Sequence, residues 1–311
     1  MSQLTTAPEI AAEEAAGADG PASAPTAGRP GPSGVSIEVP LRWGDLDAQG
    51  HVNNARYADY LQEARADYLE VCPGDLLGSG AVVVQQQIEY RAPLVFSHTP
   101  ITVDIAVVRV GAAQFTFAYT IWQEDRVVAV ARTKLCPYDV QAQRARRLGN
   151  PERQWLSEQV QAVEPLRPLV FRPMTARARR TPMRVRWSDI DAYGHVNNVI
   201  FFDYIQEGRI AFTAAAVEGM NDSIDEGHLW FVARQDVDYL APVEFRREPY
   251  EVRTGVAHFG TTSLVFCSEV ADPRGGARLA QASTVAVFAD HRGRPTPVLP
   301  EWKRALEEYR L

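Results

Sequence analysis

The sequence predicts an α+β protein of two tandem domains, each an antiparallel sheet wrapped around one long central helix. Three observations predict it. The stretch "WGDLDAQGHVNN" (Trp43 to Asn54) returns as "WSDIDAYGHVNN" (Trp187 to Asn198) 144 positions later, a spacing far outside solenoid repeats and suited to a duplicated domain. Each motif runs into a segment of helical periodicity, and each such segment is followed by four β-rich runs. At 311 residues, 46% of them hydrophobic, the chain has enough apolar material for two cores.

The elements follow in order. Residues 1–35 are mostly Ala, Pro, Gly, Ser and Thr, too poor in large apolar groups to offset the entropy of ordering, and are expected to form a disordered tail. From Val35, "VSIEVPLRW" alternates apolar and polar residues as a half-buried strand does. After the motif, Tyr57, Tyr60, Leu61, Ala64 and Tyr68 fall at the offsets of one buried helical stripe, and Phe201, Tyr204, Ile205, Gly208 and Phe212 repeat those offsets. These aromatic stripes are expected to be core. The Pro-Gly pair of "CPGD" closes the first helical region. Four strands are then expected at 81–91, 101–110, 114–122 and 127–138, with counterparts at 229–240, 250–258, 263–270 and 279–288. "IEYRAPL" from Ile88 matches "VDYLAPV" from Val237, and each copy ends in a short helix opened by proline, at Pro151 and Pro300. The expected domains are therefore 36–166 and 180–311, joined by an Arg- and Pro-rich linker at 167–179. One helix and about five strands per copy bury the aromatic stripe most economically when the sheet curls round the helix. Two such units can pair edge to edge about a pseudo-twofold axis, with further homo-oligomers left open.

Composition narrows the function. A net charge of −7 argues against nucleic-acid binding, which needs a basic face. Cys72, Cys136 and Cys267 are scattered without C-x-x-C spacing, so neither a disulfide framework nor a cysteine metal site is expected. No window approaches the apolar length of a membrane span, and the N-terminus lacks a signal-peptide pattern. The reading is a cytoplasmic protein with no membrane span.

The repeated motif carries the chemistry. Asp, Asp, Ala, Gly, His, Val, Asn and Asn recur between "DLDAQGHVNN" and "DIDAYGHVNN", more polar residues than a turn needs. The segment delivers a carboxylate and an imidazole to a loop that enters a helix N-terminus. Free amides and the positive end of the helix dipole there can hold a developing oxyanion. That combination suits acyl transfer to water. Asp47 and Asp191 can serve as general base on water or as nucleophile at the acyl carbon, and both routes stand open. His51 and His195 are read as catalytic or as holding the loop in shape. The helix-entry amides preceded by Gly50 and Gly194 are the expected oxyanion donors. Gln49, Tyr193, Asn53 and Asn197 complete the expected substrate side, although Asn53 or Asn54, and Asn197 or Asn198, also suit helix capping. The first acids, Asp45 and Asp189, are expected to fix the turn or to pair with Arg42 and Arg186. Glu63 and Glu207 are second-choice carboxylates. They and the following Arg65 and Arg209 are expected in a salt bridge or on a solvated helix face. A metal site is not expected, since each motif has a single His and no H-x-x-x-H spacing.

On the D-x-D-x-x-G-H-V-N-N stretch, with "ARYADYLQEAR" after the first copy and "VIFFDYIQEGR" in the second, the chain resembles the hotdog-fold thioesterases. It is most similar to the 4-hydroxybenzoyl-CoA thioesterase-like group and its relatives the plant acyl-ACP thioesterases. The resemblance covers about 37–140 and 180–290. It implies paired hotdog units and hydrolysis of an acyl-CoA or acyl-ACP thioester without metal or organic cofactor, with Asp47 and Asp191 as the catalytic acids. The plant-type pattern adds an Asn two residues after the acid and a His four residues after it. His51 and His195 match. Gln49 and Tyr193 stand where the Asn would be. Hotdog domains also serve as acyl-binding modules, so a non-catalytic acyl-thioester binding or regulatory protein is the alternative.

Overall fold

The computed structural model describes residues 34–74, 76–217, 220 and 228–311. The expected tail lies almost wholly outside the described residues.

In the first half, β1 (Val35–Val39) leads through a 3-10 turn at Trp43–Asp45 and another at Asn54–Arg56 into α1 (Tyr57–Glu70). A four-residue helix α2 (Leu76–Ser79) follows. Then come β2 (Ala81–Tyr90), β3 (Ile101–Val110), β4 (Phe115–Gln123) and β5 (Arg126–Asp139), a two-residue strand β6 (Arg144–Ala145) and the short helix α3 (Asn150–Glu158). The second half repeats the plan with β7 (Arg179–Met183), a 3-10 turn at Trp187–Asp189, α4 (Ile200–Ala216), β8 (His228–Tyr239), β9 (Tyr250–Phe259), β10 (Ser263–Ala271), β11 (Arg278–Asp290) and α5 (Pro300–Leu306). The predicted helices and strands are all present, with ends shifted by a few residues. Among the described residues, α2 and β6 are additions to the prediction, because two to four residues carry no readable period.

The strands make one antiparallel sheet in the order β1-β3-β4-β5-β2-β8-β11-β10-β9-β7, with β6 paired to β5 off that path. The halves meet where β2 pairs with β8, Gln87 opposite Asp236 and Glu89 opposite Arg234. Gln87 and Asp236 occupy equivalent positions of the two copies, 149 residues apart. A pseudo-twofold axis therefore passes between them, the intramolecular form of a symmetric dimer.

Both helix stripes are buried. Tyr57, Tyr60, Leu61, Ala64 and Tyr68 in α1, and Phe201, Tyr204, Ile205 and Phe212 in α4, sit in the core. One cluster runs from Val39 and Ile105 through Ile88 to Phe201, Val237 and Val252, so the halves share their apolar interior. Phe212, Phe266, Phe288 and Trp302 form a second cluster at the far end of the second half. The two helices are not equally close to their sheets. A Cβ on Gly208 would lie 2.5 Å from Val252 Cγ1, whereas the equivalent Ala64 is accommodated and fully buried.

The end of the first half packs back on its own β3, and the linker reaches the second half. Gln161 N–H donates to the Val107 carbonyl at 2.8 Å, and Arg172 N–H donates to Cys267 Sγ at 3.3 Å. Cys72, Cys136 and Cys267 are free and buried. No helix among the described residues is long and apolar enough to cross a membrane.

Candidate active site

Each motif folds into the same turn. Gly50 at φ +78° and Gly194 at φ +83° take the left-handed conformation that residues with a Cβ resist. Their N–H groups donate to the Asp47 and Asp191 carbonyls at 3.0 and 3.1 Å, while Asp47 N–H reaches the His51 carbonyl at 2.8 Å and Asp191 N–H that of His195 at 2.9 Å. The carboxylates are pinned by the turn itself. Asp47 Oδ1 accepts from the N–H of Gln49 at 2.8 Å and of His51 at 3.3 Å; Asp191 Oδ1 accepts from Tyr193 N–H at 2.8 Å. Both acids are half-buried, and Oδ2 of each has no protein partner among the described residues. One oxygen of each acid thus fixes its orientation and the other is left unpartnered.

The first acid of each motif has a different task. Asp45 and Asp189 are buried. Asp45 Oδ2 accepts from Tyr60 OH at 2.7 Å and from Arg42 Nε at 2.8 Å. Asp189 Oδ2 accepts from Tyr204 OH at 2.6 Å and from the backbone N–H of Arg186 at 2.7 Å. The side-chain pairing with Arg42 is formed; at Arg186 the backbone replaces it. These bonds anchor the start of each motif to the first turn of its helix.

The asparagines divide their work as well. Asn53 Oδ1 accepts from Ala55 N–H at 2.9 Å, and Asn197 Oδ1 from Val199 N–H at 3.3 Å, so the first of each pair caps the helix entry. The backbone N–H groups of Asn54 and Asn198 have no protein acceptor among the described residues. These are amides of the helix entry that follows Gly50 and Gly194. The Gly50 and Gly194 amides themselves are closed into the turn, and the open amides are four residues on. The imidazoles of His51 and His195, half-buried, make no hydrogen bond among the described residues. Val52 N–H donates to the Leu94 carbonyl at 2.9 Å, and the His51–Val95 bridge sets the first motif beside a surface concavity lined by Val95, Phe96 and Arg126.

Residues of the first half reach the second motif. Tyr193 OH donates to the Leu77 carbonyl of α2 at 3.3 Å, and Asn198 Nδ2 donates to Gln86 Oε1 of β2 at 3.3 Å. Arg56 pairs with Asp59 and with Asp203 of α4. Glu63 and Glu207 are exposed, the solvated placement that the sequence favoured. Arg65 departs from it: it is only 6% exposed and has no carboxylate partner among the described residues, because its side of α1 faces the neighbouring half rather than water. Among the described residues no cluster of three or more His, Cys, Asp or Glu side chains comes together as a metal site.

Sequence reasoning missed Gln86 and its counterpart Gln235, which are 0% and 1% exposed. Their signal was a glutamine at the same place in two strands where the period-2 alternation calls for an apolar residue, in register with Ile88 and Val237.

Comparison with known proteins bears on the same residues. The family model of the thioesterase-like superfamily matches twice, over residues 41–176 and 185–306. The long-chain acyl-CoA thioesterase FadM of Escherichia coli strain K12 is 32% identical over 131 residues, spanning 99% of that protein and 40% of this chain. Among solved structures, the 12:0-ACP thioesterase from Umbellularia californica superposes with a TM-score of 0.63 at 14% identity, over 82% of this chain and 94% of that one. An acyl-ACP thioesterase from Bacteroides thetaiotaomicron gives 0.61 at 12% identity, over 82% and 97%. At such identities the two structures speak for the fold. With two family segments on two motif-bearing halves, the chain belongs to the thioesterase-like superfamily, as a tandem hotdog thioesterase.

Proposed function

We propose that the protein hydrolyses acyl-CoA to the free acid and CoA, using Asp47 in one half and Asp191 in the other. The observation that carries this reading is the repeated turn, which holds one carboxylate oxygen by backbone N–H and leaves the other unpartnered, in a loop that ends at the open Asn54 or Asn198 amide. In the base route, Oδ2 takes a proton from water as the hydroxyl oxygen bonds to the acyl carbon, and the carbonyl electrons move onto its oxygen. The amide at the helix entry and the dipole behind it stabilise that oxyanion. When the carbonyl re-forms, the C–S bond breaks and the thiolate recovers the proton, directly or through His51 or His195. In the nucleophile route the carboxylate forms an anhydride with the acyl group as thiolate leaves; water then cleaves the anhydride to the free acid and the carboxyl, whose proton passes to the thiolate.

The relative FadM, by its name a long-chain acyl-CoA thioesterase, supports CoA as the carrier and long chains as the first to test. Purified protein given a chain-length panel of acyl-CoAs and the matching acyl-ACPs should release thiol, with CoA esters preferred. The Asp47→Asn, Asp191→Asn double variant should lose turnover about a hundredfold or more. Undiminished turnover in it would remove both acids from the mechanism, and tight acyl-CoA binding without thiol release would make the protein a binder.

A further inference from the structure

Five buried side-chain nitrogens lie at the meeting of the two halves without an acceptor: Asn54 Nδ2, Arg65 Nη1, Gln86 Nε2, Arg209 Nε and Gln235 Nε2. They belong to three pairs of equivalent positions, Asn54 with Asn198, Arg65 with Arg209 and Gln86 with Gln235. Every one is a donor. Buried donors in folded proteins are almost always satisfied, so this group of orphan donors, with the unpartnered hydroxyl of Thr133 opposite Gln86, suits an oxygen acceptor.

The bonds that do form show how the set is divided. Asn198 of the second half holds Gln86 of the first by its oxygen at 3.3 Å, which leaves the amide nitrogen of Gln86 to point elsewhere. Tyr239 OH donates to the Asn198 carbonyl at 2.9 Å, and Tyr90 OH to the Asn54 carbonyl at 2.9 Å. The half-buried Tyr239 phenol feels the charge of Arg65, and the half-buried Tyr90 phenol that of Arg209. Desolvation brings the Arg209 guanidinium down to about 10, against Tyr90 and Glu207, which raise it. The second helix entry is thus met by Gln86 of the first half, and the tyrosine bonded at each entry feels an arginine of the half other than its own. Asn198 lies seven residues beyond Asp191 in one continuous loop, so Gln86 stands at the second motif, and by the pseudo-twofold Gln235 stands at the first.

On the hydrolase reading above, we infer that each site is completed in trans: Gln86 donates its amide N–H to the acyl oxygen of the thioester bound at Asp191, and Gln235 does so for the thioester bound at Asp47. The second oxygen-binding donor then joins the backbone N–H of Asn198 or Asn54, giving two donors that converge from different halves on the oxyanion. Arg65 and Arg209 supply a positive field behind them.

The test uses full-length protein with one site disabled. In the Asp47→Asn protein only the Asp191 site works, and Gln86→Glu should lower its kcat/KM about a hundredfold, mostly through kcat. In the Asp191→Asn protein the comparable loss should come from Gln235→Glu. At position 86 glutamate keeps an oxygen for Asn198 to bond, removes the donor and adds a charge. Gln86→Met and Gln235→Met, which carry no charge, should sort by site in the same way, with thermal unfolding confirming a folded protein. Wild type that releases no thiol would sink the hydrolase reading. Wild type that turns over, while the glutamine changes act equally on both single-site proteins or on the site of their own half, would sink the trans assignment alone.

Discussion

The tyrosine near the start of each long helix, Tyr60 or Tyr204, reads in sequence as one more member of an apolar stripe, and its ring is indeed core. Its hydroxyl has a separate role. Tyr60 and Tyr204 donate to the buried Asp45 and Asp189 at 2.7 and 2.6 Å. Desolvation first, and the carboxylate second, push both phenols well above their ordinary value, so they remain donors at every working pH. Tyr60→Phe or Tyr204→Phe would leave a buried carboxylate one donor short, which costs about 1.5–3 kcal/mol for a bond to a charged group. Chemical unfolding of each variant should show a loss of that size, and activity at the corresponding site should fall as the motif loosens. At this scale the acids, histidines and capping asparagines were legible because they recur within the chain. Gln86, Gln235 and the buried placement of Arg65 were not, since their neighbours come from the other copy and local spacing carries no record of them.

Among elements, the two long helices were the plainest prediction, yet the sequence could not say how near each lies to its sheet. Gly208 answers that for α4. With Val252 Cγ1 at 2.5 Å from where a Cβ would sit, Gly208→Ala forces strand and helix apart and should destabilise by about 1–3 kcal/mol, against the gain in helix propensity that alanine brings on an open surface. Urea titration decides the sign. The short helix α3 is held by Glu152, whose carboxylate accepts from Gly149 N–H at 2.5 Å and from Arg146 at 2.7 and 2.9 Å. Desolvation opposes ionisation there, but the Arg146 and Gly149 bonds outweigh it and hold the carboxyl below the ordinary glutamate value of 4.5. A depressed folded value means that the unfolded chain takes up the proton first. The stabilisation is therefore complete above about 4.5 and is lost as the pH falls through the folded value. Glu152→Gln should be less stable than wild type at pH 7, with the gap in unfolding temperature closing towards pH 3. A gap independent of pH would show that packing, not charge, holds α3.

Across the whole molecule, edge-to-edge pairing of two copies was legible from the duplication alone, because each copy has a helix stripe to cover and a sheet edge to satisfy. The choice of β2 and β8, and the register that sets Gln87 against Asp236, was not, since pairing between copies depends on which edges are left after each sheet has closed on its helix. That join has a kinetic consequence. A polypeptide of one copy's length would have to collide with a second molecule to build it, so its working form would thin out on dilution. Here a covalent tether makes the encounter unimolecular and keeps the local concentration of each half fixed. Thiol release per milligram should accordingly stay constant from micromolar to picomolar protein, and refolding after denaturant removal should recover it at a rate indifferent to protein concentration. A bench dilution series is enough to find out.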